Sequence, residues 1–206
     1  MSGIKKKDLE IKLEMVPSHP KPKASLEQYS TPSSIASDML FRAFINGDVQ
    51  NKRIADLGCG TGIFSVGASY LGARSVIGID KDEEAINEAI KFIEEDSDLR
   101  NIKYEVKEVE EFNTVVDTVI MNPPFGAQNK GADLPFLKKS FEVSKTIYSI
   151  HNAETLEFLE RFINDKGHNL FWQKRYMFEI DNLFEFHTEK KKSFEVVALG
   201  IDVKRE

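Results

Sequence analysis

The sequence predicts an α/β fold, with a mostly parallel sheet of about seven strands and helices on both faces. First, short apolar segments alternate with amphipathic helical segments from residue 31 onward, which is typical of parallel strands joined by helices. Second, the glycine-rich turn Asp56-Leu57-Gly58-Cys59-Gly60-Thr61-Gly62 separates a strand pattern from a helix pattern. Third, 206 residues, of which 41% are hydrophobic, suffice for one sizeable core but hardly for two full domains.

The N-terminal part of the chain differs in composition from the rest. Residues 1–30 are predicted to form a helix and linker extension, and residues 31–206 the α/β domain. Apolar residues with helical spacing are Leu9, Leu13 and Val16. An alternating strand pattern is also present there, but the intervening Lys and Glu residues favour a helix. The proline-rich segment 17–22 then predicts a stiff linker, and Pro32 suits the first turn of the next helix.

The elements of the α/β domain follow in order along the chain. Runs rich in apolar residues and bounded by turn signals predict strands at 53–57, 75–79, 102–106, 114–121, 146–150, 170–176 and 194–203. Apolar stripes with helical spacing predict helices starting near Thr31 and at 62–71, 83–94, 134–143 and 155–164. The alternation of the two patterns therefore predicts helices between successive parallel strands.

Composition excludes several classes of protein. The net charge of -6 is incompatible with a strongly basic nucleic-acid binder, although local basic patches remain possible. No apolar run reaches the roughly 18 residues of a membrane span, and no signal sequence follows the basic start, so we expect a cytoplasmic protein. A single cysteine, Cys59, excludes an internal disulfide and a cysteine-cluster metal site. No metal site is predicted.

The glycine-rich turn lies where an α/β sheet opens its ligand crevice. Gly58 and Gly60 allow a tight turn and a close approach of a ligand to the main chain. Asp80 ends the next strand and can accept hydrogen bonds from both ribose hydroxyls of a nucleoside. Asp56 would repel the pyrophosphate of a dinucleotide but suits a cationic ligand such as S-adenosylmethionine. The alternative is that these glycines only form a strand-to-helix turn.

A second motif, Asn122-Pro123-Pro124-Phe125, follows the fourth predicted strand and faces the same crevice. The Asn122 side-chain oxygen and the Pro123 carbonyl can accept the two N–H groups of a planar amine. The prolines fix that carbonyl, and Phe125 offers a face on which a base can stack. This arrangement favours methyl transfer to an adenine amine or an amide nitrogen, with a rigid turn as the structural alternative.

Together these motifs carry a family resemblance. The chain resembles class I S-adenosylmethionine-dependent methyltransferases, which have a Rossmann-like fold. In particular, it is similar to the small adenine-N6 ribosomal RNA methyltransferases of archaea and eukaryotes. The motifs that carry the resemblance lie at residues 26–32, 55–60, 117–126, 130–133, 136–138, 148–151, 186–187 and 190–193.

The resemblance implies a role for individual residues. The cofactor-binding residues it implies are Gln28, Tyr29, Thr31, Asp56, Gly58, Gly60, Asp80, Glu108, Val109 and Asn122. The catalytic residues it implies are Asn122, Pro123, Pro124 and Phe125. Gln28, Tyr29 and Thr31 would close over the cofactor. Glu108 stands at the position that caps the adenine of the cofactor, where an aspartate is expected. His151 is predicted to be a structural hydrogen-bonding residue rather than a catalyst.

The implied reaction is methyl transfer from S-adenosylmethionine to adenine N6 in structured RNA, such as small-subunit rRNA. Methylation of protein glutamine N5 is an alternative, because Asn-Pro-Pro-aromatic motifs also serve amides. DNA adenine methylation is another, although the chain has no room for an inserted target-recognition domain. A cofactor-binding RNA scaffold without turnover is the alternative outside enzymology. The intact motif at Asn122 argues against that scaffold.

Two kinds of macromolecular partner are expected. Basic clusters that could contact RNA phosphates contain Lys138, Lys139, Lys174, Arg175, Lys190, Lys191 and Lys192. The resemblance also implies a small zinc-binding activator protein, which would lengthen the sheet at its third strand, residues 102–106. Tyr104 is the expected anchor for that partner.

Overall fold

The computed structural model describes residues 4–22, 28–126, 131–181 and 191–204. Its helices are α1 (Lys6–Leu13), α2 (Ser33–Ile45), α3 (Ile63–Tyr70), α4 (Glu83–Glu94), α5 (Leu134–Val143) and α6 (Leu156–Asp165). Its strands are β1 (Arg53–Leu57), β2 (Ser75–Asp80), β3 (Ile102–Val106), β4 (Thr118–Met121), β5 (Thr146–Asn152), β6 (Asn169–Asp181) and β7 (Lys191–Asp202).

The strands form one seven-stranded sheet with the order β3-β2-β1-β4-β5-β7-β6. The first five strands are parallel, whereas β7 runs antiparallel between β5 and β6. The sheet order reverses between β1 and β4, which is where ligands bind in open α/β sheets. The predicted fold, a mostly parallel sheet of seven strands in a Rossmann-like arrangement, is confirmed.

Helices cover both faces of the sheet because its central strands are apolar on both sides. One apolar cluster joins side chains of α1, α2, α3 and α4 to the sheet, and a second joins α5 and α6 to the opposite face. The four residues of β4 are all buried, as expected for a central parallel strand. This packing holds the carboxyl ends of β1, β2 and β4 at a common edge.

Helix α1 belongs to the same core as the rest of the chain. Leu9 and Leu13 are completely or almost completely buried in the cluster that contains α2 and α3. Gly67 of α3 permits this close packing, since a Cβ there would collide with Leu40 and touch Leu13. Helix α1 therefore packs as part of the core that contains α2 and α3.

Several predicted boundaries are wrong in detail. Strand β4 starts at Thr118 rather than at residue 114. Before the ladder with β1 begins, the amide of Val116 donates to the carbonyl of Val143 and the amide of Asp117 donates to the carbonyl of Arg53. Strands β6 and β7 are longer than predicted. They pair with each other from Asn169 to Asp181, and such main-chain pairing needs no apolar pattern in the sequence.

The described residues contain neither a membrane-spanning helix nor a metal-binding cluster. None of the described helices combines the length and the apolar character needed to cross a lipid bilayer. Within the same residues, no group of three or more His, Cys, Asp or Glu side chains is placed to hold a metal ion.

Candidate active site

A cavity of about 460 Å³ opens at the carboxyl ends of β1, β2 and β4. That volume falls in the usual range for a small-molecule or cofactor site. The predicted site residues that line it are Gln28, Tyr29, Thr31, Gly58, Gly60, Asp80, Glu108, Val109, Asn122 and Pro124. Three others, Asp56, Pro123 and Phe125, do not line it. The fold thus brings most of the predicted residues to one site, although they come from five segments of the chain.

The glycine-rich turn is attached to the end of β2. The amides of Gly58 and Cys59 donate to the carbonyl of Ile79 at 2.8 and 2.9 Å. The amide of Gly60 donates to the Asp80 Oδ2 atom at 2.9 Å. Gly58 and Gly60 have φ values of 71° and 54°, a region that suits glycine. The turn is therefore held in place by β2 and needs its glycines for backbone geometry.

Asp80 and Asp82 organise the rim of the cavity. Asp80 Oδ1 accepts the main-chain amide of Asp82 at 2.9 Å. Asp82 Oδ1 in turn accepts two amides at the start of α4, and its Oδ2 accepts Gln28 Nε2 at 2.7 Å. The imidazole of His19 lies 3.4 Å from the same Oδ2 atom. Asp82 thus connects two N-terminal positions, His19 and Gln28, to the rim.

Sequence reasoning missed the roles of Asp82 and His19. Asp82 precedes an amphipathic helix pattern and has the side chain of an N-cap, so its helix contact was predictable. Its contacts with Gln28 and His19 depend on how distant segments pack, and no local signal reveals them.

Asp56 lies beneath the glycine turn rather than on the cavity wall. Its side chain is fully buried, and Oδ2 accepts the Ser65 amide at 2.9 Å and the Ser65 hydroxyl at 2.7 Å. Burial raises the pKa of Asp56 to about 7, against the opposing effect of the Ser65 hydrogen bonds. Asp56 does not line the cavity, and its contact with the methionine part of the cofactor stays a prediction. The carboxyl group instead holds the first turn of α3 under the site.

Cys59 is buried within the same turn. Burial raises the pKa of its thiol well above the ordinary value, with a further increase from the nearby Asp56 and Asp80 carboxylates. A thiol in that state is a poor nucleophile. The prediction that Cys59 is a small turn residue agrees with this environment.

Asn122 sits at the end of β4 with its two amide atoms in different situations. Nδ2 donates a hydrogen bond to the Thr31 hydroxyl at 2.9 Å. Oδ1 is buried and has no hydrogen-bond partner within the described part of the chain. A buried carbonyl oxygen without a partner is costly unless a ligand supplies a donor. Asn122 Oδ1 is therefore an acceptor that the described residues leave unused.

Phe125 packs against the hairpin formed by β6 and β7. Its ring meets Phe178 and Phe194 edge-to-face, at centroid separations of 5.6 and 5.3 Å. Pro124 lines the cavity, whereas Pro123 is buried and is not among the lining residues. The hairpin therefore fixes the ring of Phe125 directly after the prolines.

The predicted RNA-contacting residues fall into three groups. Lys138 is exposed, but the prediction is wrong for Lys139, which is only 9% exposed because it packs against Glu142 and Asn113. Lys174 and Arg175 are about half exposed, and each forms an ion pair, with Asp38 and Glu195 respectively. Of the remaining predictions, Lys190 and the side chains of Lys191 and Lys192 lie outside the described residues.

The third strand occupies the predicted place in the sheet. Strand β3 is the outermost strand on its side. Tyr104, the expected anchor, is only 8% exposed and packs over Gly62 and Gly78, so its side chain does not reach out to a partner. Any partner at this edge would have to use the main chain and the exposed side chains.

The chain is similar to known methyltransferases. The family model for ribosomal protein L11 methyltransferase (PrmA) matches residues 36–123. The rRNA N(6)-adenosine-methyltransferase METTL5 of Danio rerio is 36% identical over 94% of this chain and 95% of its own length. An uncharacterized protein of Methanocaldococcus jannaschii is 40% identical over 97% of this chain and 94% of its own length.

A solved structure supports the same relationship. A candidate RNA methyltransferase from Pyrococcus horikoshii superposes with a TM-score of 0.90 and is 40% identical, covering 98% of this chain and 100% of that one. The fold and the site together define a class I methyltransferase. Within that class, the identities over nearly the whole length show that the chain belongs to the METTL5 family of methyltransferases.

Proposed function

We propose that the protein transfers the methyl group of S-adenosylmethionine to the N6 amine of an adenine in structured RNA, namely small-subunit rRNA. The observation that carries this proposal is that Asn122 lines the cavity and that its buried Oδ1 atom has no hydrogen-bond partner among the described residues. An acceptor at that position fits an exocyclic amine. The METTL5 protein of Danio rerio, similar over 94% of this chain, is named an rRNA N(6)-adenosine-methyltransferase.

The glycine turn and Asp80 would hold the cofactor. S-adenosylmethionine supplies an electrophilic methyl group on a positively charged sulfur. Asp80 would accept the ribose hydroxyls, and Gly58 and Gly60 would let the ligand approach the main chain closely. Glu108 and Val109, which line the cavity after β3, would face the adenine of the cofactor. Gln28 and Tyr29 would cover the ligand from the N-terminal side.

Asn122 and its neighbours would position the acceptor. Asn122 Oδ1 and the Pro123 carbonyl would each accept one N–H of the adenine amine, which favours the pyramidal and more nucleophilic form of the nitrogen. The nitrogen lone pair forms the new N–C bond to the methyl group. The S–C bond of the cofactor breaks at the same time, and the electron pair of that S–C bond remains on sulfur. The amine then releases one proton to water. Phe125 would stack against the extruded base.

Three described basic residues remain candidates for RNA contact. Lys138 is exposed, and the half-exposed Lys174 and Arg175 could exchange their protein carboxylates for phosphates. Because the chain carries a net charge of -6, we expect modest affinity for isolated RNA. A partner or the ribosomal particle would then supply part of the RNA surface.

We also propose that a small zinc-binding activator docks on the edge of β3. The amide of Lys107 donates to Asp80, and the carbonyl of Asn101 accepts from Val76. Main-chain groups alternate in direction along a parallel strand, so those of Ile102, Tyr104 and Val106 point away from β2. Val106 is also 51% exposed. This edge is therefore suited to adding a partner strand.

The edge proposal is testable with one residue and a matched control. Val106→Pro removes an outward main-chain donor, whereas Val106→Ala keeps it. Tagged protein would be purified from its native host, and a small zinc protein should accompany the parent and the alanine variant only. Recovery of a fully active lone chain would contradict the activator proposal.

The methyl-transfer proposal is tested with labelled S-adenosylmethionine and total RNA, DNA and protein from the host, followed by nucleoside and amino-acid analysis. We expect label in N6-methyladenosine of rRNA. Asn122→Ala should abolish transfer while cofactor affinity stays within several-fold, because the residue positions the acceptor. Label in glutamine or DNA adenine would replace this function with one of its alternatives.

A further inference from the structure

A buried chain of polar side chains lies beside the catalytic motif but outside the cavity. It consists of Ser149, His151 and Asp133, which are 0%, 1% and 9% exposed. In the β4–β5 ladder, Ser149 pairs with Met121. His151, two residues further along β5, therefore lies level with Pro123 of the motif. None of the three residues lines the cavity.

The hydrogen bonds of this chain are specific. His151 Nδ1 lies 2.9 Å from Asp133 Oδ2, and His151 Nε2 lies 2.9 Å from Ser149 Oγ. An ionised carboxylate only accepts, so Nδ1 carries the proton and donates it to Asp133. In the neutral ring, Nε2 then accepts the hydroxyl hydrogen of Ser149. Every polar atom of the imidazole is thus engaged, and the ring orientation is fixed.

Asp133 connects His151 to the cavity wall through the first turn of α5. It immediately precedes α5, yet its side chain makes no capping hydrogen bond to that helix. Its carbonyl accepts the amide of Leu137 at 3.1 Å, so its main chain is part of the first helical turn. That turn carries Phe136, which lines the cavity and lies against Gly58 of the glycine turn. The Asp133 carboxylate therefore contacts His151 on β5 instead of capping its own helix.

We propose that His151 is a positioning residue for methyl transfer, which acts by clamping the start of α5 to the end of β5. The clamp sets the distance between the Asn122-Pro123 end of β4 and the Phe136 side of the cavity. This inference rests on the proposed methyltransferase function. His151 itself is too buried to touch either substrate, and Ser149 is too buried to act as a nucleophile.

Three substitutions separate the clamp from simple stability. His151→Phe keeps the ring volume and removes both hydrogen bonds. His151→Asn keeps a donor near the Nδ1 position, so it should retain the bond to Asp133. Tyr148→Phe is the matched control, because it removes two part-buried hydrogen bonds on the opposite face of the same strand. The Tyr148 hydroxyl donates to Asp48 at 2.7 Å and accepts from Asn46 Nδ2 at 2.8 Å.

The kinetic readout is kcat for methylation of host rRNA, alongside the dissociation constant of S-adenosylhomocysteine by calorimetry. We expect His151→Phe to lower kcat by about tenfold or more, since small misplacements of reacting groups are costly. Its effect on the dissociation constant should stay within about threefold. His151→Asn should recover most of the lost rate, and Tyr148→Phe should keep the parental kcat. Loss of thermal stability with an unchanged kcat in His151→Phe would overturn the proposal.

A second measurement does not depend on activity. Hydrogen exchange at the Leu137 amide reports directly on the first turn of α5, because that amide bonds to Asp133. His151→Phe should accelerate this exchange, whereas His151→Asn and Tyr148→Phe should not. Unchanged exchange would refute the clamp even if no methyl transfer were found. Accelerated exchange without any methylation by the parent protein would refute only the proposed function.

Discussion

The side chain of Asn122 donates a hydrogen bond to the hydroxyl of Thr31 across 2.9 Å, although 91 residues separate the two in sequence. Thr31 lies just before α2 and is 7% exposed. Its hydroxyl engages Nδ2, and Oδ1 of Asn122 has no partner in the part of the chain that the structure describes. The N-terminal region therefore orients the side-chain amide of Asn122 as well as lining the cavity.

This relationship predicts the effect of changing Thr31. Thr31→Val keeps the shape of the side chain but removes the hydroxyl, which leaves Nδ2 of a buried amide unpaired at a cost of about 1–3 kcal/mol. We expect kcat to fall about tenfold or more, because the amide loses its fixed orientation, with a smaller change in cofactor affinity. Steady-state kinetics and calorimetry would measure the two effects.

Thr31→Ser is the control for that experiment, since it retains the hydroxyl. It should keep a kcat close to that of the parent protein. Equal rates in the valine and serine variants would show that the hydrogen bond to Asn122 is dispensable.

Asp80 should dominate the binding of the ribose. Asp80→Ala removes the proposed acceptor of the ribose hydroxyls and also the acceptor of the Gly60 amide. We expect cofactor affinity to fall by about 1–3 kcal/mol, as for hydrogen bonds to a charged group. Titration calorimetry with S-adenosylmethionine measures this directly. Glu83→Gln, which removes an exposed negative charge at the start of α4, is the control and should bind S-adenosylmethionine normally. An equal loss of affinity in Glu83→Gln would show that Asp80 acts through negative charge in general and not through hydrogen bonds to the ribose.

The parallel half of the sheet was predictable because its signals are local. Strand β3 and helices α4 and α5 have the predicted bounds, since each is delimited by its own periodicity and turn residues. The glycine turn and the Asn122 motif were placed at one edge by the rule that parallel strands share their carboxyl ends. That rule requires no knowledge of distant packing.

The parts that sequence could not reveal depend on packing between remote segments. Asp56 precedes Gly58 by two residues, yet its side chain points under the turn to Ser65 instead of into the cavity. The sequence predicts Lys139 as part of a basic surface cluster, but its position on α5 makes it a buried residue. The bond from Thr31 to Asn122 has no local signature at all. Charge and spacing therefore identified the site but not the direction of each side chain.

The buried Asp56 predicts an unusual dependence of stability on pH. Its pKa is about 7 in the folded protein and 3.8 in an unfolded reference. Between these values the folded state retains a proton that the unfolded state has lost, so this group makes stability fall as pH rises from about 4 to about 7. At about 1.4 kcal/mol per pH unit, the upper bound of the loss is roughly 4 kcal/mol.

Asp56→Asn removes that titration while retaining an acceptor for Ser65. Relative to the parent protein, the variant should gain stability as pH increases from 4 to 8 and then level off. Urea unfolding at several pH values gives the difference in the free energy of unfolding between the variant and the parent protein. The contributions of the other carboxylates are common to both proteins and cancel in that difference. A difference that is constant across this range would contradict the raised pKa.

The close contact between β2 and β3 predicts a strong effect at Gly78. Gly78 pairs with Tyr104 on the neighbouring strand, and a Cβ at Gly78 would lie 2.5 Å from Tyr104 Cδ1 and 3.0 Å from Ser65 Oγ. Tyr104 is buried and cannot move aside freely, so Gly78→Ala should lower the free energy of unfolding by about 1–3 kcal/mol through overpacking. Tyr104→Ala removes the obstructing ring, and in that background the same glycine substitution should cost at least about 1 kcal/mol less. Urea unfolding of the parent protein, the two single variants and the double variant completes this double-mutant cycle. Additive effects of the two substitutions on the free energy of unfolding would show that the ring of Tyr104 is not what excludes a side chain at position 78.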